Sequence, residues 1–157
     1  MVNQRRHFLF LITVIMLFSM SSCGNKMSKR QKTEVVIAKA RSYTGTPHKW
    51  GGTSSKGMDC SGLLLNSFKA VEVDIPRTSA EQKKTGKKVS KSEIKKGDLV
   101  FFATSKKKRK VTHVGLVTEV KGGNVIFIHA STSKGVTESS LDNSYWNKRF
   151  RQARRIL

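Results

Sequence analysis

Cysteine is scarce in this chain, which has only two in 157 residues, Cys23 and Cys60. Cys23 follows a short apolar run near the N-terminus, at a position typical of a processing site, so we do not expect a disulfide between the two. Cys60 is then the only thiol of the folded part. Its simplest interpretation is a small buried hydrophobic side chain, because free cysteine is among the most buried residue types.

Long hydrophobic segments are also lacking. The main apolar run, residues 8–18, is too short for a membrane-spanning helix, which needs ~20 residues. Arg5 and Arg6 precede it and small residues lead from it to Cys23, a pattern that resembles a bacterial lipoprotein signal. We therefore predict a signal peptide over 1–22 and a lipidated Cys23 at the start of a basic tether, 23–33, ahead of one domain over 34–157. The predicted location is the bacterial cell envelope, with the lipid in a membrane that faces the periplasm or cell wall. An ordinary secretory signal and an uncleaved anchor are the alternatives.

Acidic residues are few: 10 Asp and Glu stand against 31 Lys and Arg, and the formal net charge is +21. Such a charge attracts polyanions, and the densest basic run lies at 106–110. A nucleic-acid-binding module is one hypothesis, but the run contains no aromatic residues and the export signal leads away from nucleic acid. Membrane headgroups and anionic envelope polymers are the favoured partners. A simple solvated loop is the alternative for the basic run.

Metal and phosphate motifs are absent from the sequence. The histidines lack the i, i+4 spacing of a helical metal site, and Cys60 has no second thiol nearby. Gly51 and Gly52 are not followed by the Lys-Ser/Thr pair of a phosphate-binding loop. We therefore expect no metal and no cofactor.

The segment "MDCSGLLLNSF" predicts a helix that begins near Cys60. Positions 60, 63, 64, 67, 68 and 71 form a largely apolar stripe at helical spacing, and Asp59 is a suitable N-cap. Cys60 then lies in the first turn, where the helix N-terminus should lower the pKa of the thiol. Free N–H groups there could hold the oxyanion of an acyl-transfer reaction. This placement favours a nucleophile over an inert thiol.

Two histidines are candidates for the base that such a nucleophile needs. His113 and His129 lie on strand-like segments separated by Gly122-Gly123, which predicts a β-hairpin. If the loop spans 119–123, centred on Lys121, His113 lies directly across from His129. A tighter turn at the two glycines would offset them. One histidine could form the thiolate and protonate the leaving amine, and the other could orient it.

Five sequence blocks carry a resemblance to a known family. "YTGTPHKWGGTSSKGMDCSGLLLNSF", "IPRTSAEQ", "IKKGDLVFF", "THVGLVTEV" and "VIFIHAS" occur in the order and rough spacing of the NlpC family of bacterial cell-wall cysteine peptidases. The similarity covers about residues 35–157. It implies an α+β, papain-like fold in which the nucleophile helix packs on a small antiparallel sheet.

The resemblance also implies roles for individual residues. Cys60 corresponds to the nucleophile, His113 to the base and His129 to the third polar residue. The implied substrate-binding residues are Asp59, Ser61, His48, Trp50 and Arg77. His48 stands where many members have tyrosine, a departure that affects either hydrogen bonding or specificity.

The implied reaction is hydrolysis of amide bonds in peptidoglycan stem peptides, most often between γ-D-glutamate and a diamino acid. We expect the enzyme to be a monomer. An amidase or acyltransferase of the same thiol fold is the alternative.

Three further expectations concern the scaffold: a short helix from Thr78 to about Lys84, a tight turn at Gly97-Asp98 before a hydrophobic strand, and a C-terminal edge strand, "RQARRIL", with solvated arginines.

Overall fold

The computed structural model describes residues 26–105 and 110–157. The predicted signal peptide, Cys23 and most of the basic run, 106–109, lie outside the described residues. Within the described ranges, no helix is long and apolar enough to cross a membrane. The predicted α+β architecture is confirmed, because helices pack against one six-stranded antiparallel sheet.

Within the described residues the helices are α1 (Lys29–Arg41), α2 (Cys60–Lys69), α3 (Ser79–Gln82) and α4 (Ser144–Arg149), with one 3-10 turn at Lys91–Glu93. The strands are β1 (Thr53–Ser54), β2 (Gly57–Met58), β3 (Lys87–Val89), β4 (Leu99–Phe102), β5 (His113–Lys121), β6 (Asn124–Ser131), β7 (Gly135–Ser140) and β8 (Phe150–Arg155). β1 and β2 form a small separate hairpin, and the main sheet has the order β3-β8-β4-β5-β6-β7.

Helix α1 begins inside the segment that the sequence predicted as a tether. Ser28 caps it in a capping box, in which the Ser28 hydroxyl accepts from the Gln31 main-chain N–H and the Gln31 side chain accepts from the Ser28 N–H. The apolar face, which includes Val36 and Ile37, is buried in the core. Residues 29–33 of the predicted tether, 23–33, thus lie in the first helix.

Two hydrophobic clusters lie on the two faces of the main sheet. On one face, Leu63 and Leu64 of α2 are fully buried with the strand residues Leu116 and Ile128. The other face carries a smaller cluster around Phe102, packed against α4. Burying a leucine side chain contributes about 2 kcal/mol, so the leucines fix α2, and with it Cys60, on the sheet that carries His113.

The β5–β6 hairpin differs from the preferred prediction. Lys121 pairs with Asn124, so the turn is the tight one at Gly122 and Gly123, whose positive φ values of 57° and 83° suit a two-residue loop. A regular ladder from this turn would place His113 and His129 on opposite faces of the sheet. A β-bulge at Thr118 adds one residue to β5 and restores them to the same face.

The C-terminal strand is not an edge strand, which corrects the prediction. β8 lies between β3 and β4, where Ala153 is fully buried. Arg155 is not simply solvated either, because its guanidinium donates to both carboxylate oxygens of Asp98 at 2.8 and 2.7 Å. Asp98 is 1% exposed and follows the predicted turn at Gly97, so it requires a cationic partner. This ion pair joins the end of β8 to the turn that precedes β4.

Candidate active site

Cys60 is the first residue of α2, as predicted. Asp59 is the N-cap, and its Oδ1 accepts from the Gly62 N–H at 2.7 Å. Gly62 lies so close to the Gly52 carbonyl that a Cβ would collide with it. The helix start is thereby clamped to the loop that precedes β1, and Asp59 N–H donates to the Gly52 carbonyl at 3.1 Å.

The environment of the thiol corrects one expectation. Burial raises the pKa of Cys60 to about 11, and the Asp59 carboxylate also raises it. Main-chain N–H groups of Val114, Ser61 and Cys60 contact the sulfur and act in the opposite direction, but they do not outweigh burial. The helix terminus therefore does not produce a resting thiolate. At neutral pH the thiol keeps its proton until a base removes it.

The Val114 contact joins the nucleophile to the candidate base, because Val114 follows His113 at the start of β5. His113 Nε2 lies 3.0 Å from His129 Nδ1, with the two rings almost perpendicular. With Nε2 engaged in this contact, Nδ1 is the ring nitrogen left for the thiol. The sequence prediction that the two histidines meet is confirmed, although through the bulge and not through a longer loop.

Both histidines are held in the neutral form. Burial lowers the pKa of His113 to about 3, with a further contribution from His129, and burial lowers the pKa of His129 to about 4. His129 is 1% exposed and lies behind His113, away from solvent. A neutral imidazole has a free lone pair, so His113 can accept the thiol proton when substrate arrives.

Sequence reasoning missed two neighbours of this pair. Trp146 stacks on His113 with a centroid separation of 5.4 Å and meets His129 edge-on at 4.7 Å. Ser139 Oγ lies 3.0 Å from His129 Nε2. Neither residue falls in a family-like sequence block, and only the register of β6 with β7 and the position of α4 bring them to the histidines.

Arg77 and Asp59, both predicted to bind substrate, form an ion pair with each other. The guanidinium donates to Asp59 Oδ1 and Oδ2 at 3.0 and 2.7 Å and to Ser61 Oγ at 2.9 Å. Gly51 N–H also donates to Asp59 Oδ2. Burial alone would raise the pKa of Asp59, but the hydrogen bonds from Arg77 and Gly62 lower it below its usual value. The network holds the carboxylate ionised and fixes the loop beside Cys60.

A cleft of ≈ 580 Å³ opens above Cys60 and His113. Its other lining residues are His48, Trp50, Gly51, Asp59, Ser61, Arg77, Thr78, Ser79, Thr104, Ser105, Thr112 and Thr132. All five sequence-predicted substrate-binding residues are thus brought together. Trp50 is 88% exposed at the rim, and His48 is held beside the nucleophile segment by a β-bridge to Met58.

The residues of this cleft do not suggest a metal centre. In the ranges 26–105 and 110–157, no three His, Cys, Asp or Glu side chains are grouped closely enough to hold a metal ion.

Comparison with known proteins identifies the family. The model of the NlpC/P60 family matches residues 45–155. The chain belongs to the NlpC/P60 family. The probable endopeptidase NlpC of Escherichia coli is 39% identical over 158 residues, and the match covers 96% of this chain and 99% of the relative.

Two further matches support the assignment. The murein DD-endopeptidase MepS/murein LD-carboxypeptidase of Escherichia coli is 41% identical over 116 residues, covering 73% of this chain and 58% of the relative. A crystal structure of an NlpC/P60 family protein from Bacillus cereus superimposes with a TM-score of 0.71 at 33% identity, covering 80% of this chain and 40% of that one. The papain-like fold predicted from the sequence is that of the family.

Proposed function

We propose that this protein is a cysteine endopeptidase that hydrolyses amide bonds in the stem peptides of peptidoglycan. The observation that carries the proposal is the grouping of Cys60, at a helix N-terminus, with His113 in one cleft, and the contact of His113 with the buried His129 behind it. Relatives of similar sequence are named endopeptidases, and one is named a murein DD-endopeptidase.

Acylation begins with the neutral thiol. His113 takes the proton from Cys60 as the sulfur attacks the carbonyl carbon, because the resting thiol holds its proton at neutral pH. Main-chain N–H groups of Cys60 and Ser61 at the helix start hold the oxyanion. The imidazolium of His113 then protonates the departing amine, and the C–N bond breaks to leave a thioester.

Deacylation uses the same residues in reverse order. His113 removes a proton from a water molecule, the resulting hydroxide attacks the thioester, and the C–S bond breaks as the proton returns to Cys60. His129 accepts a hydrogen bond from His113 Nε2–H throughout and holds its ring in line with the sulfur. His129 does not itself touch the substrate, since it lies behind His113.

The shape and chemistry of the cleft favour a peptide substrate over a lipid. Its lining includes seven serine and threonine residues and the Asp59–Arg77 ion pair, a polar composition that suits the N–H and C=O groups of a peptide. A lipid acyltransferase would need a deep apolar pocket. Trp50, exposed at the rim, offers a flat surface for the substrate.

Digestion of defined muropeptides followed by mass spectrometry tests the activity and identifies the bond. We expect products from cleavage between γ-D-glutamate and the diamino acid. Cleavage between D-alanine and a diamino acid would match the MepS-like relative, and release of an intact stem peptide would indicate an amidase.

Cys60→Ala should abolish cleavage, whereas His129→Ala should lower it by a smaller factor. Undiminished cleavage by Cys60→Ala would exclude the mechanism.

We also propose that Cys23 is acylated and anchors the enzyme to a membrane of the cell envelope. The support is the sequence pattern around residues 8–23. Metabolic labelling with a fatty acid should mark the wild-type protein and leave Cys23→Ala unmarked, with Cys60→Ala as the control that retains the label. Equal labelling of wild type and Cys23→Ala would contradict lipidation at this residue.

The net charge of +21 supports a second association, with anionic polymers of the envelope. The inactive Cys60→Ala protein should bind isolated cell walls and be released as the salt concentration rises, because screening weakens charge attraction. Retention that is insensitive to salt would argue for a different mode of binding.

A further inference from the structure

Three polar side chains, those of His113, His129 and Ser139, lie in a diagonal row across the neighbouring strands β5, β6 and β7. On β5 and β6, the pairing of Leu116 with Ile128 places His129 two residues from the position directly opposite His113. On β6 and β7, His129 pairs with Thr137, and Ser139 again lies two residues farther along, on the same face. The distances are 3.0 Å from His113 to His129 and 3.0 Å from His129 to Ser139.

The proton arrangement along this diagonal decides whether His113 can act as a base. A neutral imidazole carries one N–H and one lone pair. If His129 is protonated at Nε2, its Nδ1 accepts from His113 Nε2–H, and the lone pair of His113 lies on Nδ1. If His129 is protonated at Nδ1, it donates to His113 Nε2, and His113 then carries its proton on Nδ1. Only the first arrangement leaves a lone pair for the thiol.

The same tautomer of His129 is needed even more when His113 is a charged imidazolium. Once His113 has taken the thiol proton, both of its ring nitrogens are donors. His113 Nε2–H can then hydrogen-bond only if His129 presents its Nδ1 lone pair, which places the His129 proton on Nε2. That N–H points at Ser139 Oγ, and His129 is 1% exposed. A hydroxyl oxygen at this position supplies the acceptor that a buried N–H requires.

We propose that Ser139 is a positioning residue of the reaction: its hydroxyl oxygen accepts the His129 Nε2–H and thereby stabilises the tautomer of His129 that His113 needs when it takes the proton of Cys60. The inference rests on the proposed function and adds Ser139 to the reacting set of Cys60, His113 and His129. Ser139 does not contact the substrate, because it lies on the far side of His129 from His113.

A matched pair of serines on β7 provides the test. Ser139→Ala removes the acceptor, and Ser139→Thr keeps a hydroxyl in a residue suited to strands. Ser140→Ala is the control, because Ser140 is the next residue on β7 and its hydroxyl bonds Asn124 on the side of the strand away from the histidines. All are made in the full-length protein.

Two readouts separate positioning from folding. The first is kcat and KM on a defined muropeptide. The second is the rate at which iodoacetamide alkylates Cys60 across pH 6 to 9, which needs no substrate. We expect Ser139→Ala to lower kcat about tenfold, the effect of one hydrogen bond of ordinary strength, with KM unchanged. Its alkylation rate at neutral pH should fall by a similar factor, while Ser139→Thr and Ser140→Ala stay within about twofold of wild type.

The proposal is overturned if Ser139→Ala keeps wild-type kcat and alkylation, or if folded Ser139→Thr is as slow as Ser139→Ala. A pH–rate profile of alkylation that is unchanged in Ser139→Ala would likewise overturn it, even if the variant were less stable. Failure of the proposed function is seen separately, as cleavage by Cys60→Ala. The alkylation arm still reports on Ser139 in that event.

Discussion

The buried histidines should make the stability of this protein depend on pH in a range where carboxylates contribute little. Burial lowers the folded-state pKa of His113 to about 3 and of His129 to about 4, against ~6.5 in an unfolded chain. Below pH ~6.5 the unfolded chain therefore binds protons that the folded protein does not bind. Stability is complete above that pH and is lost as the pH falls towards the folded-state values.

The magnitude follows from linkage. Consider one histidine that stays neutral in the folded state but titrates at ~6.5 in the unfolded chain. Its protonation in the unfolded chain lowers the free energy of unfolding by about 2 kcal/mol between pH 7 and pH 5. His113 and His129 together cost about 4 kcal/mol. Since small domains are stable by only ~5–15 kcal/mol, the change is a large share of the total.

Urea unfolding at pH 7 and pH 5, followed by circular dichroism, measures the difference directly. Replacing the buried imidazole by a side chain that does not titrate, as in His129→Gln, should reduce the loss between the two pH values by about 2 kcal/mol. Phe127→Leu is the control, because its ring lies 5.2 Å from that of His129 and the substitution lowers stability equally at both pH values. A loss in His129→Gln equal to that of wild type would refute the assignment of the effect to this residue.

Three other predictions concern the scaffold of the site. Arg77→Met removes the partner of Asp59, whose side chain is 13% exposed, and should raise the pKa of that carboxyl and lower the unfolding free energy by about 1–2 kcal/mol, measured by urea unfolding. Wild-type stability of this variant would contradict the role given to the ion pair. Arg155→Met leaves the buried Asp98 without its cation and should cost about 3 kcal/mol in the same assay, whereas an exposed pair would cost less than about 1 kcal/mol. Deletion of Thr118 removes the bulge but keeps the cross-strand pairs on either side of it, Val117 with Phe127 and Glu119 with Ile126, so His113 should stay beside His129 and cleavage should be retained; loss of cleavage by a folded deletion variant would show that the bulge itself is needed.

The parts of the site that depend on local sequence could be predicted. The Asp59 cap, the apolar stripe of α2 and the first-turn position of Cys60 all follow from residues within one helix. The hairpin was predicted because Gly122-Gly123 separates two β-branched segments. Its register was not, because nothing in the residues around Thr118 marks a bulge, and one extra residue decides on which face His113 lies.

The parts that depend on long-range pairing could not be predicted. The sequence predicts the C-terminal strand at an edge of the sheet, with solvated arginines, whereas Arg155 pairs with a buried carboxylate 57 residues earlier in the chain. Ser139 and Trp146 lie in segments with no recognisable pattern, and they reach the histidines only through the sheet and through α4. Such contacts become visible only when the register of every strand is known.

The protonation of the thiol shows how the fold can reverse a local effect. A helix N-terminus favours a thiolate, but its influence is modest beside the cost of burying a charge. Here burial raises the pKa of Cys60 while it lowers that of His113, so both groups rest in their neutral forms. The thiolate is the form that oxidants and alkylating agents attack. For a lone thiol in the exported setting that the sequence predicts, a neutral resting pair would limit side reactions, and the nucleophile would form as an electrophile accepts the sulfur and His113 takes the proton.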